Sequence, residues 1–147
     1  MSTGLVATSS VTHATPASFA AHIDYRKKEK EIAQQFAETE IDVILGGGKK
    51  YWPDSLIAVY KNRGGQFIDK IDLPLDPNKR LLGLFAENAL PPAHKGRSPS
   101  TTEMAFLAIK KLEKNINGYF VMIEESQVDW GGHSNSAESV SYTHLRA

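Results

Sequence analysis

Glu124, Asp129 and His133 are of residue types, and at a spacing, that could act together on a metal ion. Asp129 and His133 stand four apart, so one helical turn or a compact loop could aim both at a single point. Gly131 and Gly132 lie between them, and glycine lets the backbone pass close to a bound group. The three follow Tyr119-Phe120-Val121-Met122-Ile123, a continuous apolar run. That run predicts a strand buried on both faces, with its polar residues delivered at the carboxyl end, where open α/β sheets keep their chemistry. Each of the three alone is as well explained by a solvated loop; their convergence is what points to a site.

A second group lies near the amino terminus, in Val11-Thr12-His13-Ala14-Thr15-Pro16-Ala17. Gly4 to Val11 is uncharged and rich in β-branched residues, which suits a central strand. Pro16 at a first helical position predicts a buried helix from Pro16 to Tyr25, with Thr15 as its N-cap or as something more. His13 alone reads as a structural histidine. Arg26, beside Lys27 and Lys28, reads as a solvated basic helix end.

Together these strings resemble the alkaline phosphatase family. Gly118-Tyr119-Phe120, Glu124, Ser126, Asp129 and His133 keep the spacing of the family's metal-binding segment, except that Glu125 stands where the family usually has glycine. That extra carboxylate either perturbs the metal cluster or points outward. Val11 to Ala17 is similar to the family's second metal-binding segment. Ile41-Asp42-Val43 with Gly46-Gly47-Gly48, and Gly83-Leu84-Phe85-Ala86 with Leu90-Pro91, are also family-like strings outside the metal site. The resemblance implies that Thr15 and Glu124 hold a magnesium ion, that His13 lies close behind them near its waters, and that Asp129 and His133 bind a zinc ion. It implies that Arg26 forks onto the substrate phosphate, a role suited to a planar guanidinium.

The full protein would then carry two zinc ions and one magnesium and hydrolyse small phosphate monoesters through a phosphoserine. The resemblance also implies a possible homodimer and a periplasmic or extracellular location. The family's nucleophilic serine motif is not in this sequence, and Ser9 and Ser10 are not substitutes, since they belong to the strand beside the threonine motif. The expectation is therefore an internal fragment, inactive alone. Two other readings stay open: a related metal-dependent phosphomutase or sulfatase-like hydrolase, and a non-catalytic α/β module binding a metal or a protein.

The rest of the chain must position these groups. It has 147 residues, 41% of them apolar, with 17 basic and 17 acidic residues. That is enough to bury one core, and the balanced charge offers no global field for nucleic acid or an anionic membrane. With no cysteine, only His, Asp, Glu and hydroxyl ligands are available. No apolar run approaches the roughly 20 residues that span a bilayer. Met1-Ser2-Thr3-Gly4 has no basic stretch before the apolar run, so no secretion signal is expected there.

The periodicity predicts a helix over 29–40, a strand over 41–45 stopped by three glycines, and a mixed connection from Lys49 to Asp69 with a short helix at 54–62. A loop over 71–80, a strand at 81–85 and a surface loop at 91–99 follow, the last containing His94, which is given no role. Ser100-Thr101-Thr102-Glu103 is a capping box opening a helix with Met104, Leu107, Ala108, Ile109 and Leu112 on its apolar face. This alternation predicts an α/β fold, a mainly parallel central sheet with helices on both faces, incomplete. The domain is expected over 1–135, with 136–147 a tail outside the fold and no role for His144.

Overall fold

The structure, a computed structural model, describes residues 1–145, with side chains to residue 141; the side chain of His144 lies outside the described residues. Five strands, β1 (Ser2–Ser10), β2 (Val43–Gly47), β3 (Gly65–Ile68), β4 (Arg80–Leu84) and β5 (Tyr119–Glu124), form one sheet in the order β3-β4-β2-β1-β5. Every pairing is parallel. The helices are α1 (Ala14–Ala20), α2 (Glu29–Glu38), α3 (Asp54–Asn62), α4 (Thr101–Leu112), α5 (Ser126–His133) and α6 (Ala137–Leu145).

Strand alternation splits the core into two layers. Leu5, Ile44, Leu82 and Leu84 face one side, where Ile32, Ala33, Phe36 and Ala37 of α2 and Ile57 and Tyr60 of α3 close over them. Val6, Val43, Leu45 and Leu81 face the other, against Met104, Ala108 and Leu112 of α4. The sheet is thus covered by helices on both faces, as the alternation predicts. The apolar residues of α2 and α4 recur every three or four positions, so each helix turns one stripe inward.

The chain winds from β1 towards β2, β4 and β3, then returns to the opposite side of β1 for β5. β1 and β5 are therefore neighbours whose connections run in opposite directions, and the crevice beyond their carboxyl ends is the topological switch point where α/β sheets bind ligands.

Several elements differ from expectation. The amino-terminal helix covers Ala14–Ala20 only, and its N-cap is His13, whose carbonyl accepts the Ala17 N–H at 2.9 Å. Thr15 is inside the helix, so the N-cap reading of Thr15 is corrected, and Pro16 is tolerated because the first turn uses no N–H there. β3 lies within the stretch expected to be a connection; with four residues, of which only Gly65 and Ile68 are buried, it has too little pattern to announce itself. β5 is not buried on both faces. Among the described residues it pairs with β1 alone, and Tyr119, Phe120 and Ile123 are about 40% exposed. Residues 137–145 form α6, which lies beside α5: a Cβ on Gly131 would stand 2.9 Å from the Ser139 side chain. Among the described residues no helix is long and apolar enough to cross a membrane.

Candidate active site

β1 ends in a run of buried hydroxyls, Thr8, Ser9 and Ser10, followed by buried Thr12. Buried hydroxyls need acceptors, and here each finds a carboxylate. Thr8 donates to Glu125 at 3.2 Å, Ser9 reaches Glu124 at 3.5 Å, and Ser10 and Thr12 donate to Glu29 at 2.5 and 2.7 Å. Tyr51 donates a further bond to Glu29 at 3.0 Å. Glu29 is the first residue of α2, where the helix dipole also favours a negative group. The switch point is thus fenced by three carboxylates, and Ser9 and Ser10 serve as donors to two of them.

Glu124 closes β5 and also accepts from Ser126 Oγ at 3.0 Å. One turn later, Asp129 Oδ1 and His133 Nε2 approach to 3.4 Å along α5, with the side chains 71% and 80% exposed. The helix therefore does what the four-residue spacing predicts. His13 sits at the start of α1, edge-on to the Trp130 ring with centroids 5.6 Å apart. Its Nε2 lies 3.2 Å from Arg26 Nη2. A guanidinium only donates, so a hydrogen bond at this distance requires Nε2 to accept. The His13 Nδ1 is buried without a partner. Arg26 and Thr15 are both exposed. A cavity of about 150 Å³ beside this group is lined by Ser10, His13, Glu29, Tyr51, Asn88 and Trp130, among others.

Glu125 is the single residue between β5 and α5. Arg97 forks onto it with two bonds of 2.8 and 2.7 Å, and Thr101 bonds it as well. Burial pushes its carboxyl up, but the bonds from Arg97 and Thr101 outweigh that and hold it below the ordinary carboxylate range.

Of the six residues singled out from sequence, four form two contacting pairs, Asp129 with His133 and His13 with Arg26, Glu124 stands at the end of β5 beside Ser9, and Thr15 lies exposed on α1. Among the described residues no cluster of three or more His, Cys, Asp or Glu is arranged to hold a metal. The chemistry of the donors nevertheless fits. A carboxylate and an imidazole on one exposed turn are two of the three or four ligands zinc takes. The Glu124 carboxylate and the Thr15 hydroxyl are the hard oxygens magnesium prefers. Sequence reasoning missed Glu29, Tyr51, Arg97 and Trp130. Three hydroxyls in a row inside a buried strand were a legible sign that acceptors had to come from elsewhere.

A parallel sheet with helices on both faces, and carboxylates, imidazoles and a guanidinium around its switch point, places the chain in the α/β class whose ligands bind beyond the carboxyl ends of the strands. The alkaline phosphatase family model matches residues 1–142. Alkaline phosphatase 3 of Bacillus subtilis is 42% identical over 145 residues, covering 90% of this chain and 31% of that protein. The human tissue-nonspecific isozyme is 31% identical, covering 93% of this chain and 36% of the relative. Among solved structures, the alkaline phosphatase of the Antarctic bacterium TAB5 superposes with a TM-score of 0.85 at 38% identity, over 95% of this chain and 43% of that one. That of a psychrophilic Shewanella gives 0.90 at 32%, over 99% and 37%. The chain belongs to the alkaline phosphatase family. It spans about a third of the length of the curated relatives it matches.

Proposed function

We propose that this chain is the part of a phosphate monoester hydrolase that supplies the phosphate-binding arginine and part of the metal set. The observations that support this reading are Glu124 at the end of β5, the Asp129–His133 contact on the helix that follows, and the His13–Arg26 contact beside β1, with His13 edge-on to Trp130 of that helix. Asp129 and His133 would be zinc ligands, Thr15 and Glu124 magnesium ligands, and His13 would stand close behind the magnesium waters. The full protein would use two zinc ions and one magnesium; a TAB5 variant with magnesium bound is among the similar structures. When bound, these ions supply Lewis acidity towards the phosphoryl oxygens.

The chain's own residues bind and orient. Arg26 rests against the His13 imidazole, and a phosphate dianion would offer it two charge-assisted bonds in place of that single contact. It would then steady the equatorial oxygens during in-line transfer. The acceptor serine of a phosphoserine route would come from outside this segment, so the segment alone is inactive. Periplasmic or extracellular placement and a homodimer are proposed for the full protein on the same family grounds.

The test is hydrolysis of a chromogenic phosphate monoester at alkaline pH by the full-length protein containing this chain. The expected result is activity lost to a chelator, restored by zinc plus magnesium, and abolished by Asp129→Ala. A well-folded full-length protein with no such activity would refute the reading.

A further inference from the structure

Glu125 is the one residue between the end of β5 and the start of α5, so its conformation sets the direction in which the helix carrying Asp129 and His133 leaves the sheet. A carboxylate has about four lone-pair sites. All four are taken here: two by the Arg97 fork, one by Thr101 and one by Thr8. The arginine is itself buried, with its side chain 5% exposed, while that of Glu125 is 20% exposed. Arg97 also donates to Thr101 at 2.9 Å, and Thr8 accepts the Ser126 N–H at 2.9 Å. Glu125 therefore ties together the 91–99 connection, the start of α4 and β1. A second tie runs beside it, from the buried Gln127 side chain to the Leu90 carbonyl at 2.7 Å.

We infer that Arg97 and Glu125 are a pair of positioning residues, a latch that fixes the exit of α5 and so the aim of Asp129 and His133, and that Glu125 is not a metal ligand. The inference about aim rests on the proposed zinc role of those two side chains; the latch itself does not. Removing one partner leaves the other charge buried and unpaired, so α5 and the 91–99 connection should loosen together. Because the two-bond fork is lost when either member goes, removing both should do little more than removing either.

The experiment is hydrogen exchange by mass spectrometry on the full-length protein, metal-free, with zinc binding measured in parallel by equilibrium dialysis. Wild type is compared with Arg97→Gln, Glu125→Gln and the double variant. Each single substitution is expected to speed exchange about tenfold or more in peptides covering 91–101 and 126–133 while leaving 32–37 unchanged. Each should weaken zinc about tenfold, the lower end of the effect of losing a ligand's supporting contact, and the double should match the singles. If the singles fail to fold, Arg97→Met with Glu125→Leu replaces the pair by apolar groups, and the same two peptides are expected to speed up. Zinc weakened by Glu125→Gln but not by Arg97→Gln would make Glu125 a ligand and overturn the inference. A uniform rise in exchange, or none, would overturn it too. A wild type that binds no zinc would count against the metal reading, while the exchange pattern would still decide the latch.

Discussion

Replacing Tyr60 by phenylalanine should stabilise the protein, and increasingly so at alkaline pH. Tyr60 is fully buried between α3 and the sheet, and its hydroxyl has no hydrogen-bond partner. Its ring is edge-on to Trp52 at 6.4 Å and lies 5.6 Å from the Arg80 guanidinium, contacts a phenylalanine keeps. A buried unsatisfied hydroxyl costs roughly 1–3 kcal/mol. Deleting it leaves a void of one oxygen, so a net gain of about 1 kcal/mol is expected at pH 8. Burial also pushes the phenol far above its ordinary range, against a smaller lowering by Arg80. A raised folded pKa means that the unfolded chain releases its proton first. The stability held below about pH 10 is then lost as pH rises beyond it, by up to about 1.4 kcal/mol per unit. Phenylalanine has no such loss, so its advantage should grow to roughly 2 kcal/mol at pH 11. Denaturant midpoints of the two full-length proteins at pH 8 and pH 11 measure both terms. A variant less stable at pH 8, or a gap that does not widen by pH 11, would refute the reasoning.

The capping box of α4 gives a second expectation: Ser100 accepts the Glu103 N–H at 3.1 Å and its own N–H reaches Glu103 Oε2 at 2.8 Å, so Ser100→Ala should cost about 1 kcal/mol in thermal unfolding. The bond from the Ser100 backbone, then that from its hydroxyl, holds the Glu103 carboxyl below its ordinary range. The stability it lends is present above the unfolded carboxylate pKa and lost as pH falls through the lower folded one, so the difference between wild type and Glu103→Gln should shrink in titrations below about pH 4. Gly47→Ala would drive a Cβ into the Asn88 carbonyl, in a loop already tied down by bonds from the Gly48 N–H to Ala86 and Asn88. It should destabilise by about 1–3 kcal/mol, and an unchanged melting temperature would show that this loop can yield. Phe36→Ala, at a fully buried position of α2, should cost about 3–5 kcal/mol in the same measurement.

The sequence by itself determined the alternation of strands and helices, because apolar period two or a short apolar run, and period three to four, are local properties of the chain. It placed α3 at its observed bounds, together with the capping box, since Ser100 and Glu103 act on each other's backbone within one turn. It also brought Asp129 and His133 together, because four residues of helix suffice. What tertiary structure alone decided is anything that depends on which strands are neighbours. β5 pairs with β1, a neighbour 117 residues away in sequence at Ala7 and Glu124, because strand order is set by crossovers that no run of residues encodes. Thr15 lost its capping place to His13 because the helix begins where β1 releases the chain. Glu29 meets Ser10, Thr12 and Tyr51, and Arg97 meets Glu125, across 17 to 28 residues of sequence. Such pairs carry no spacing signal. They form because burying a carboxylate or a guanidinium in the crevice between parallel strands is costly until the fold delivers a partner, and only the packed sheet brings the partner there.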